Sequence, residues 1–361
     1  YMIAAAHGES PSFKIKAVPE LADKNYIKLN VEAYGGMSLP SWLDRPLSVS
    51  GRVVIDNGES LNVRLVNIDR DSLIIPSLAI HLGRGSKNSA ELNICRDMPP
   101  MYALSESEEG IMSEIADVLG EEEKSIIGCD LMLYNRERGR IWGRNNEFIS
   151  APRLDDLQCV YALLKGFIES GESRDAVQTL CIFDNEEVGS GTKQGAKSDF
   201  LSSVLLRISN CFGIDYAGHM RRLNSSFLVS ADNAHAIHPN RSDAYDSENY
   251  PRIGGGVVIK YNAAQRYTTD AVSEAIFKKI CRRAGVPYQV YANKSDIAGG
   301  STLGNLAAEK TCVSSVDIGL AQLAMHSAYE TAGNADTSYM ANAVREFYNT
   351  RLCVINDEIR I

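Results

Sequence analysis

The sequence predicts an α/β fold that also carries a β-rich segment, on three observations. Residues 2–6 form an uninterrupted apolar run, which is the pattern of a buried strand. Residues 13–66 alternate between apolar and polar side chains and contain several turn signals, which is typical of antiparallel strands. From residue 151 onward, helical periodicity alternates with short apolar runs, as in an α/β sheet.

Composition limits the class of protein. At about 150 residues per domain, 361 residues predict two or three domains. With 44% hydrophobic and 23% charged residues and a mean hydropathy of -0.18, the chain is neither disordered nor membrane-embedded. A net charge of -9 predicts no nucleic-acid or membrane partner. The eight cysteines form no CxxC pair, which predicts free thiols and a cytoplasmic location.

The elements follow one another in a consistent order. Asn57-Gly58 predicts a hairpin in the β-rich segment. Apolar residues at helical spacing predict a helix within residues 106–127, and a short strand follows at 131–134. The segment ends near residue 148. Beyond it, we predict helices at 157–168, 201–208, 272–284 and 341–354, and strands at 179–183, 226–230, 257–260, 288–291 and 312–317.

Polar residues that follow apolar runs are the first candidates for a site, because ligands collect beyond the carboxyl ends of strands in open α/β sheets. Five such places hold side chains that bind metals: His7, Asp155, Glu186-Glu187, Asp232 and His326. A set of imidazoles and carboxylates without thiolate suits zinc, manganese or cobalt. Each residue also has a plainer interpretation: a core or surface histidine, a solvated turn, or, for Asp155 and Asp156, a helix N-cap.

The order of several stretches resembles that of the aspartyl aminopeptidase and aminopeptidase I family of dinuclear zinc metallopeptidases, and most closely its bacterial aminopeptidase I-like branch. The matching stretches are HGESPSFKIK, DRPLSVSGRV, SLAIHL, NNEFISAPRLDDL, FDNEEVGSGTKQGA, SADNAHAIHPN, GGGVVIKYNAAQRYTTD, AGGSTLG and QLAMHSAYETAG. The resemblance implies a three-layer α/β/α metallopeptidase domain at 1–35 and 149–361, with residues missing before Tyr1. It also implies an inserted β-rich dimerisation and oligomerisation domain at 36–148.

The resemblance also implies a set of metal ligands and a base. Asp155 would bridge two divalent ions, zinc or alternatively manganese or cobalt. His7 and Asp232 would complete one site, and Glu187 and His326 the other. Glu186 would be the general base, which must not itself bind the metal.

Other positions receive supporting roles from the resemblance. His81 would enter a neighbouring subunit's active site and stabilise the oxyanion, within a tetrahedral dodecamer. Lys260 and, more weakly, Asp296 would contact substrate. Glu9 and His235 would support ligands without touching the metal. Glu9 departs from the family, which has His-x-Asp where this chain has His7-Gly8-Glu9.

We therefore expect a cytoplasmic metalloaminopeptidase that releases the N-terminal residue of peptides. Two alternatives stay open at this point. The same site chemistry would serve another amide, such as that of a deblocking enzyme. Glu9 also leaves room for an oligomeric binding or cargo protein whose catalytic site is impaired. The preferred N-terminal residue, acidic or neutral, is likewise left open.

Overall fold

A computed structural model describes residues 1–83, 92–107, 109–173, 175–355 and 358–361. The chain divides into two compact units. The first unit comprises residues 1–10, 139–325 and 330–361, and the second comprises 11–138 and 326–329. The chain therefore leaves the first unit after one strand and returns to it near residue 139.

The strands are β1 (Met2–His7), β2 (Ser12–Ala22), β3 (Tyr26–Tyr34), β4 (Leu47–Asp56), β5 (Leu61–Asn67), β6 (Met101–Leu104), β7 (Ile126–Asn135), β8 (Arg140–Trp142), β9 (Phe148–Ala151), β10 (Gln178–Phe183), β11 (Phe227–Ala231), β12 (Ala234–His235), β13 (Val257–Tyr261), β14 (Tyr288–Ala292), β15 (Ser314–Gly319), β16 (Ala321–Leu323), β17 (Glu330–Gly333), β18 (Cys353–Ile355) and β19 (Glu358–Arg360). The helices are α1 (Ile80–Gly83), α2 (Ile94–Asp97), α3 (Ile111–Leu119), α4 (Leu154–Ile168), α5 (Phe200–Cys211), α6 (Tyr216–Asn224), α7 (Ala271–Ala284), α8 (Leu303–Thr311) and α9 (Asp336–Asn349).

The first unit is built on a six-stranded sheet in the order β10-β1-β11-β15-β13-β14. Its first four strands are mutually parallel, whereas β13 runs antiparallel to β15. Helices cover both faces, because alternate residues of β1 join different cores: Met2, Ala4 and Ala6 pack with residues of α4, α7 and α9, and Ile3 and Ala5 with residues of α5, α6 and α8. The predicted three-layer α/β/α arrangement is confirmed.

A second sheet of the first unit has the order β12-β16-β17-β9-β8. β12 is parallel to β16, and the remaining neighbours are antiparallel. β9 leads directly toward α4, and β12 follows β11 after two residues. This sheet therefore holds the residues just before Asp155 and just after Asp232, two of the predicted ligands.

The second unit contains a six-stranded antiparallel sheet in the order β5-β4-β7-β2-β3-β6. The predicted hairpin at Asn57-Gly58 joins β4 and β5, where Gly58 has a φ of 87°. One face carries a core that includes Phe13, Leu47 and Leu131, covered by Ile111 and Ile115 of α3. The predictions of a β-rich segment and of a helix within residues 106–127 are correct.

Two predicted boundaries differ from the structure. The inserted segment was expected to begin at residue 36, but β2 and β3 pair with each other and β2 with β7, so residues 11–35 belong to the second unit. The last helix was expected at 341–354, whereas α9 begins at Asp336 and ends at Asn349. Thr350 is extended, with φ -85° and ψ 137°, and the chain continues into β18. No helix among the described residues is both long and apolar enough to span a bilayer.

Candidate metal centre

Three neighbouring parallel strands of the first unit end at one edge of its main sheet. His7 is the last residue of β1, which lies between β10 and β11. Glu186 and Glu187 begin a short 3₁₀ turn after β10, and Asp232 directly follows β11. Because parallel strands end on the same side of a sheet, these residues converge as the sequence predicts.

His7 is buried and its two ring nitrogens have distinct surroundings. Nδ1 lies 3.0 Å from the carbonyl oxygen of Glu9. A carbonyl oxygen only accepts, so this hydrogen bond requires the proton on Nδ1, and in the neutral ring the lone pair is then on Nε2. Nε2 lies 3.6 Å from Oδ1 of Asp155 and 3.9 Å from Oδ1 of Asp232. The ring is thus held in the orientation of a metal ligand.

Asp155 is positioned by its backbone. The residue belongs to the first turn of α4 but has non-helical angles, φ -83° and ψ 108°, and its peptide bond to Asp156 is cis. Its N–H donates to Oε2 of Glu330 at 2.9 Å, and its carbonyl accepts from Oγ of Ser10 at 2.5 Å. The N-cap residue of α4 is Arg153, with no side-chain capping bond, so neither aspartate is the N-cap at the start of α4.

Asp156 is fully buried behind the cluster. Its Oδ2 accepts a 3.4 Å hydrogen bond from the backbone N–H of His7. Burial raises the pKa of this carboxyl well above its ordinary value. Sequence analysis treated Asp156 only as a possible cap, although its position beside Asp155 was the signal for a supporting role.

Glu186 and Glu187 follow the end of β10, where the backbone bends sharply. Asn185 has a φ of 60°, in the left-handed region that residues other than glycine occupy only rarely. Burial, followed by the charge of Asp232, raises the pKa of Glu186 to about 7. The N–H of Glu187 donates to Oε1 of Glu9 at 2.9 Å. The same Glu9 carboxylate lies 3.6 Å from Nδ1 of His7, so Glu9 contacts both strand ends.

Two groups of side chains among the described residues of the first unit could hold a metal ion. One comprises His7, Asp155 and Asp232, and the other comprises His7, Glu186 and Glu187, with ligand atoms in each group within 4.8 Å of one another. A buried imidazole lone pair among carboxylate oxygens fits a zinc or manganese ion. The convergence of several carboxylates in a partly buried place also fits a cation, because their mutual repulsion is then offset.

His326 is the first residue of the short segment 326–329, which groups with the second unit, and it follows directly on Met325 of the first unit. Its φ of 62° lies in the left-handed region. Such backbone geometry costs about 1–3 kcal/mol in a residue other than glycine and clusters at functional sites. The predicted role of His326 as a ligand stays a prediction.

The predicted substrate-binding residues lie in different surroundings. Lys260 is 1% exposed, and its Nζ donates to the carbonyl of Asp232 at 2.8 Å and lies 3.6 Å from that residue's carboxylate. Burial lowers the pKa of Lys260, but the nearby charges, with that of Asp232 the largest, together outweigh burial and the pKa is raised. Asp296 is exposed and lies 4.0 Å from Nζ of Lys294. Contact of either residue with substrate stays a prediction.

The two remaining histidines of the prediction are exposed. His235 lies in β12 with its ring edge-on to Tyr291 at 6.3 Å. His81 lies in α1 of the second unit, among exposed apolar side chains, Leu78, Ile80 and Leu82. Their assigned roles also stay predictions.

Three buried polar residues near the ligands were missed. They are Asn233, Gln322 and Glu330, each at most 3% exposed. Asn233 and Glu330 bond to the backbone of residues 154 and 155. None is a metal-ligand type in a ligand pattern, and the signal was that Asn233 lies in the stretch SADNAHAIHPN and Gln322 and Glu330 lie in QLAMHSAYETAG, both of which resemble the family.

Comparison with known proteins bears on this cluster directly. The family model described as Aminopeptidase I zinc metalloprotease (M18) matches residues 1–348. This chain belongs to the M18 aminopeptidase family. A probable M18 family aminopeptidase 2 of Clostridium acetobutylicum is 45% identical over 356 residues, which is 97% of this chain and 82% of the relative. The predicted family is confirmed, and with it an enzyme that hydrolyses peptides.

Solved structures of M18 aminopeptidases share the fold. A structure titled as the cryo-EM structure of the Ape4 and Nbr1 complex matches with a TM-score of 0.92 and 33% identity, over 96% of this chain and 71% of that one. The S. cerevisiae mApe1 dodecamer matches with a TM-score of 0.82 and 26% identity, over 96% and 79% of the two chains. The cluster around His7 therefore lies in an α/β metallopeptidase fold that these solved structures share.

Proposed function

We propose that this chain uses two divalent ions, taken to be zinc, to release the N-terminal residue of peptides. The observation that carries the proposal is that His7 and Asp232, at adjoining strand ends, cluster with Asp155 of the first turn of α4 in an M18 family chain. Asp155 is proposed to bridge the ions, His7 and Asp232 to hold one, and Glu187 and His326 to hold the other.

The bound ions would supply a Lewis acid that polarises the scissile carbonyl and lowers the pKa of water. The chain supplies the proton transfers. A carboxylate of Glu186 takes the proton of the attacking water and then delivers it to the leaving amine nitrogen. Its burial favours both steps, because a carboxyl that is easily protonated can hold the proton between them.

The test replaces the base while keeping its shape. Glu186→Gln is expected to lower kcat for an aminoacyl chromogenic substrate by about 10²–10⁴-fold with metal content unchanged. Asp184→Asn, an exposed carboxylate in the same turn, is the matched control and is expected to retain activity. Full activity of Glu186→Gln would remove Glu186 from the mechanism.

A substrate panel separates the aminopeptidase from a hydrolase of another amide. Peptides with a free amine are compared with the same peptides after N-acetylation, with N-terminal Asp, Glu, Leu and Lys. An aminopeptidase cleaves only the free peptides, whereas a deblocking enzyme cleaves the acetylated ones. If folded protein with metal bound cleaves neither the free nor the acetylated peptides, a binding or cargo protein is favoured instead.

We also propose assembly into a tetrahedral dodecamer in which His81 acts in a neighbouring subunit. Support comes from the exposed apolar side chains that flank His81 and from the dodecameric relative. In an unassembled subunit these apolar side chains would be exposed to water, which is unfavourable. Mixing inactive His81→Ala and Glu186→Gln subunits tests this: activity returns only if His81 serves another chain's site.

We propose a cytoplasmic location. The cysteines whose side chains the structure describes are free thiols, both buried and exposed, as is usual in a reducing compartment. Fractionation of cells that express the protein would test the location.

A further inference from the structure

Asn233 joins the backbones of two segments that carry proposed metal ligands. It directly follows Asp232 and is 3% exposed. Its Nδ2 donates to the carbonyl of Leu154 at 3.0 Å, and Leu154 directly precedes Asp155. One amide therefore connects the chain beside Asp232 to the chain beside Asp155.

The amide is itself held in one orientation. Its second Nδ2 proton points to Oε1 of Gln322 at 2.6 Å, and its Oδ1 accepts from Sγ of Cys159 at 3.2 Å. Nζ of Lys260 lies 3.3 Å from the Asn233 carbonyl and 2.8 Å from that of Asp232. Side chain and backbone of Asn233 are thus both fixed by buried partners.

The backbone at Asp155 needs such support. Asp155 and Asp156 depart from helical angles, and Arg153 has a φ of 59°, so regular helix bonds do not determine where this turn lies. The bond from Asn233 reaches this turn from the β11 side, and Glu330 holds it from β17. The carboxylates of Asp155 and Asp232 both approach Nε2 of His7, so a small shift of the turn changes their spacing.

We propose that Asn233 is a positioning residue that sets the spacing between the Asp155 and Asp232 carboxylates in readiness for a metal ion. The inference rests on the proposed function, which makes these two residues ligands. Residues that orient metal ligands typically change metal affinity by about 10–100-fold when they are replaced.

The experiment measures zinc affinity of chelator-treated protein by competition with a chromogenic chelator, beside thermal unfolding of the same metal-free samples. Asn233→Ala is expected to weaken zinc binding at least tenfold. The matched control is Gln178→Ala, because Nε2 of Gln178 likewise donates to backbone carbonyls, those of Gly171 at 3.0 Å and Tyr348 at 2.9 Å, and neither is next to a proposed ligand. The control is expected to lower the unfolding temperature and leave zinc affinity unchanged.

Gln322→Met provides a variant that is expected to fold if Asn233→Ala does not. Among the described residues Nε2 of Gln322 is buried without a hydrogen-bond partner, so methionine removes an unsatisfied donor as well as the acceptor that orients Asn233. Zinc affinity is expected to fall severalfold, with unfolding temperature little changed.

Asp155→Asn separates the two proposals. If this variant binds zinc as the wild type does, the ligand assignment fails. If it loses zinc while both Asn233→Ala and Gln322→Met bind with wild-type affinity, the ligands stand and the role of Asn233 is overturned. Where only Gln322→Met folds, wild-type affinity of that variant overturns the inference.

Discussion

Glu9→Asp introduces the residue that the resemblance implies at position 9 and is expected to weaken the site rather than improve it. Oε1 of Glu9 accepts from the N–H of Glu187 at 2.9 Å, and Oε2 lies 3.6 Å from Nδ1 of His7. Aspartate is shorter by one carbon–carbon bond, about 1.5 Å, so its carboxylate falls beyond the ~3.2 Å reach of the Glu187 N–H unless the backbone moves.

The magnitude follows from the lost bond. A hydrogen bond to a charged group contributes about 1.5–3 kcal/mol, and the lower end applies because Glu9 is only partly buried. Since ~1.4 kcal/mol is a factor of ten, zinc affinity is expected to fall at least about tenfold. Glu9→Gln keeps the length and an acceptor oxygen, so it is expected to lose less.

Chelator competition measures the zinc affinity of each variant. Glu20→Asp is the matched control, because Oε1 of Glu20 accepts from the N–H of Ile111 at 2.8 Å within the second unit. It shortens an equivalent side-chain bond and is expected to leave zinc affinity unchanged. Wild-type affinity in Glu9→Asp would refute the view that the longer side chain supports Glu187.

Three further predictions concern stability and metal. Phe347→Ala removes a fully buried ring beside Phe227 and is expected to cost about 3–5 kcal/mol in chemical denaturation; a loss below 1 kcal/mol would contradict this packing. Gly51→Ala would drive its Cβ into the carbonyl of Asp130, so we expect a clear fall in unfolding temperature, whereas Gly36→Ala meets open space and serves as control. Chelation is expected to abolish hydrolysis and lower the unfolding temperature, both restored by zinc; an unchanged unfolding temperature would argue against metal bound in the native fold.

The site could be predicted from sequence to the extent that its residues end apolar runs. His7, the Glu186-Glu187 pair and Asp232 each follow such a run, and the runs became β1, β10 and β11. The roles of Asn233 and Glu330 could not be predicted, because a buried amide or carboxylate that bonds to the backbone of a distant segment leaves no characteristic residue spacing in the sequence. Asp156 was identified only as a helix cap, since its buried contact with the N–H of His7 joins distant parts of the chain.

The fold, too, could be predicted from sequence only in part. The apolar alternation of β2 and β3 does not show which sheet these strands join. The sequence therefore predicted that the first unit extends to residue 35, whereas it ends at residue 10. Pairing with β7, more than a hundred residues away, decided the matter. Similarly, periodicity alone extended the last helix past Asn349, where the chain turns into the β18–β19 hairpin instead.

The sequence by itself determined the local elements, the class of ligands and the family, because periodicity, residue chemistry and motif order are properties of neighbouring residues. Only the tertiary structure decided that β1 lies between β10 and β11, that Glu9 reaches the N–H of Glu187, and that Lys260 is buried against Asp232. Those arrangements depend on which distant segments pack together, and long-range packing is set by the burial of whole faces rather than by any short stretch.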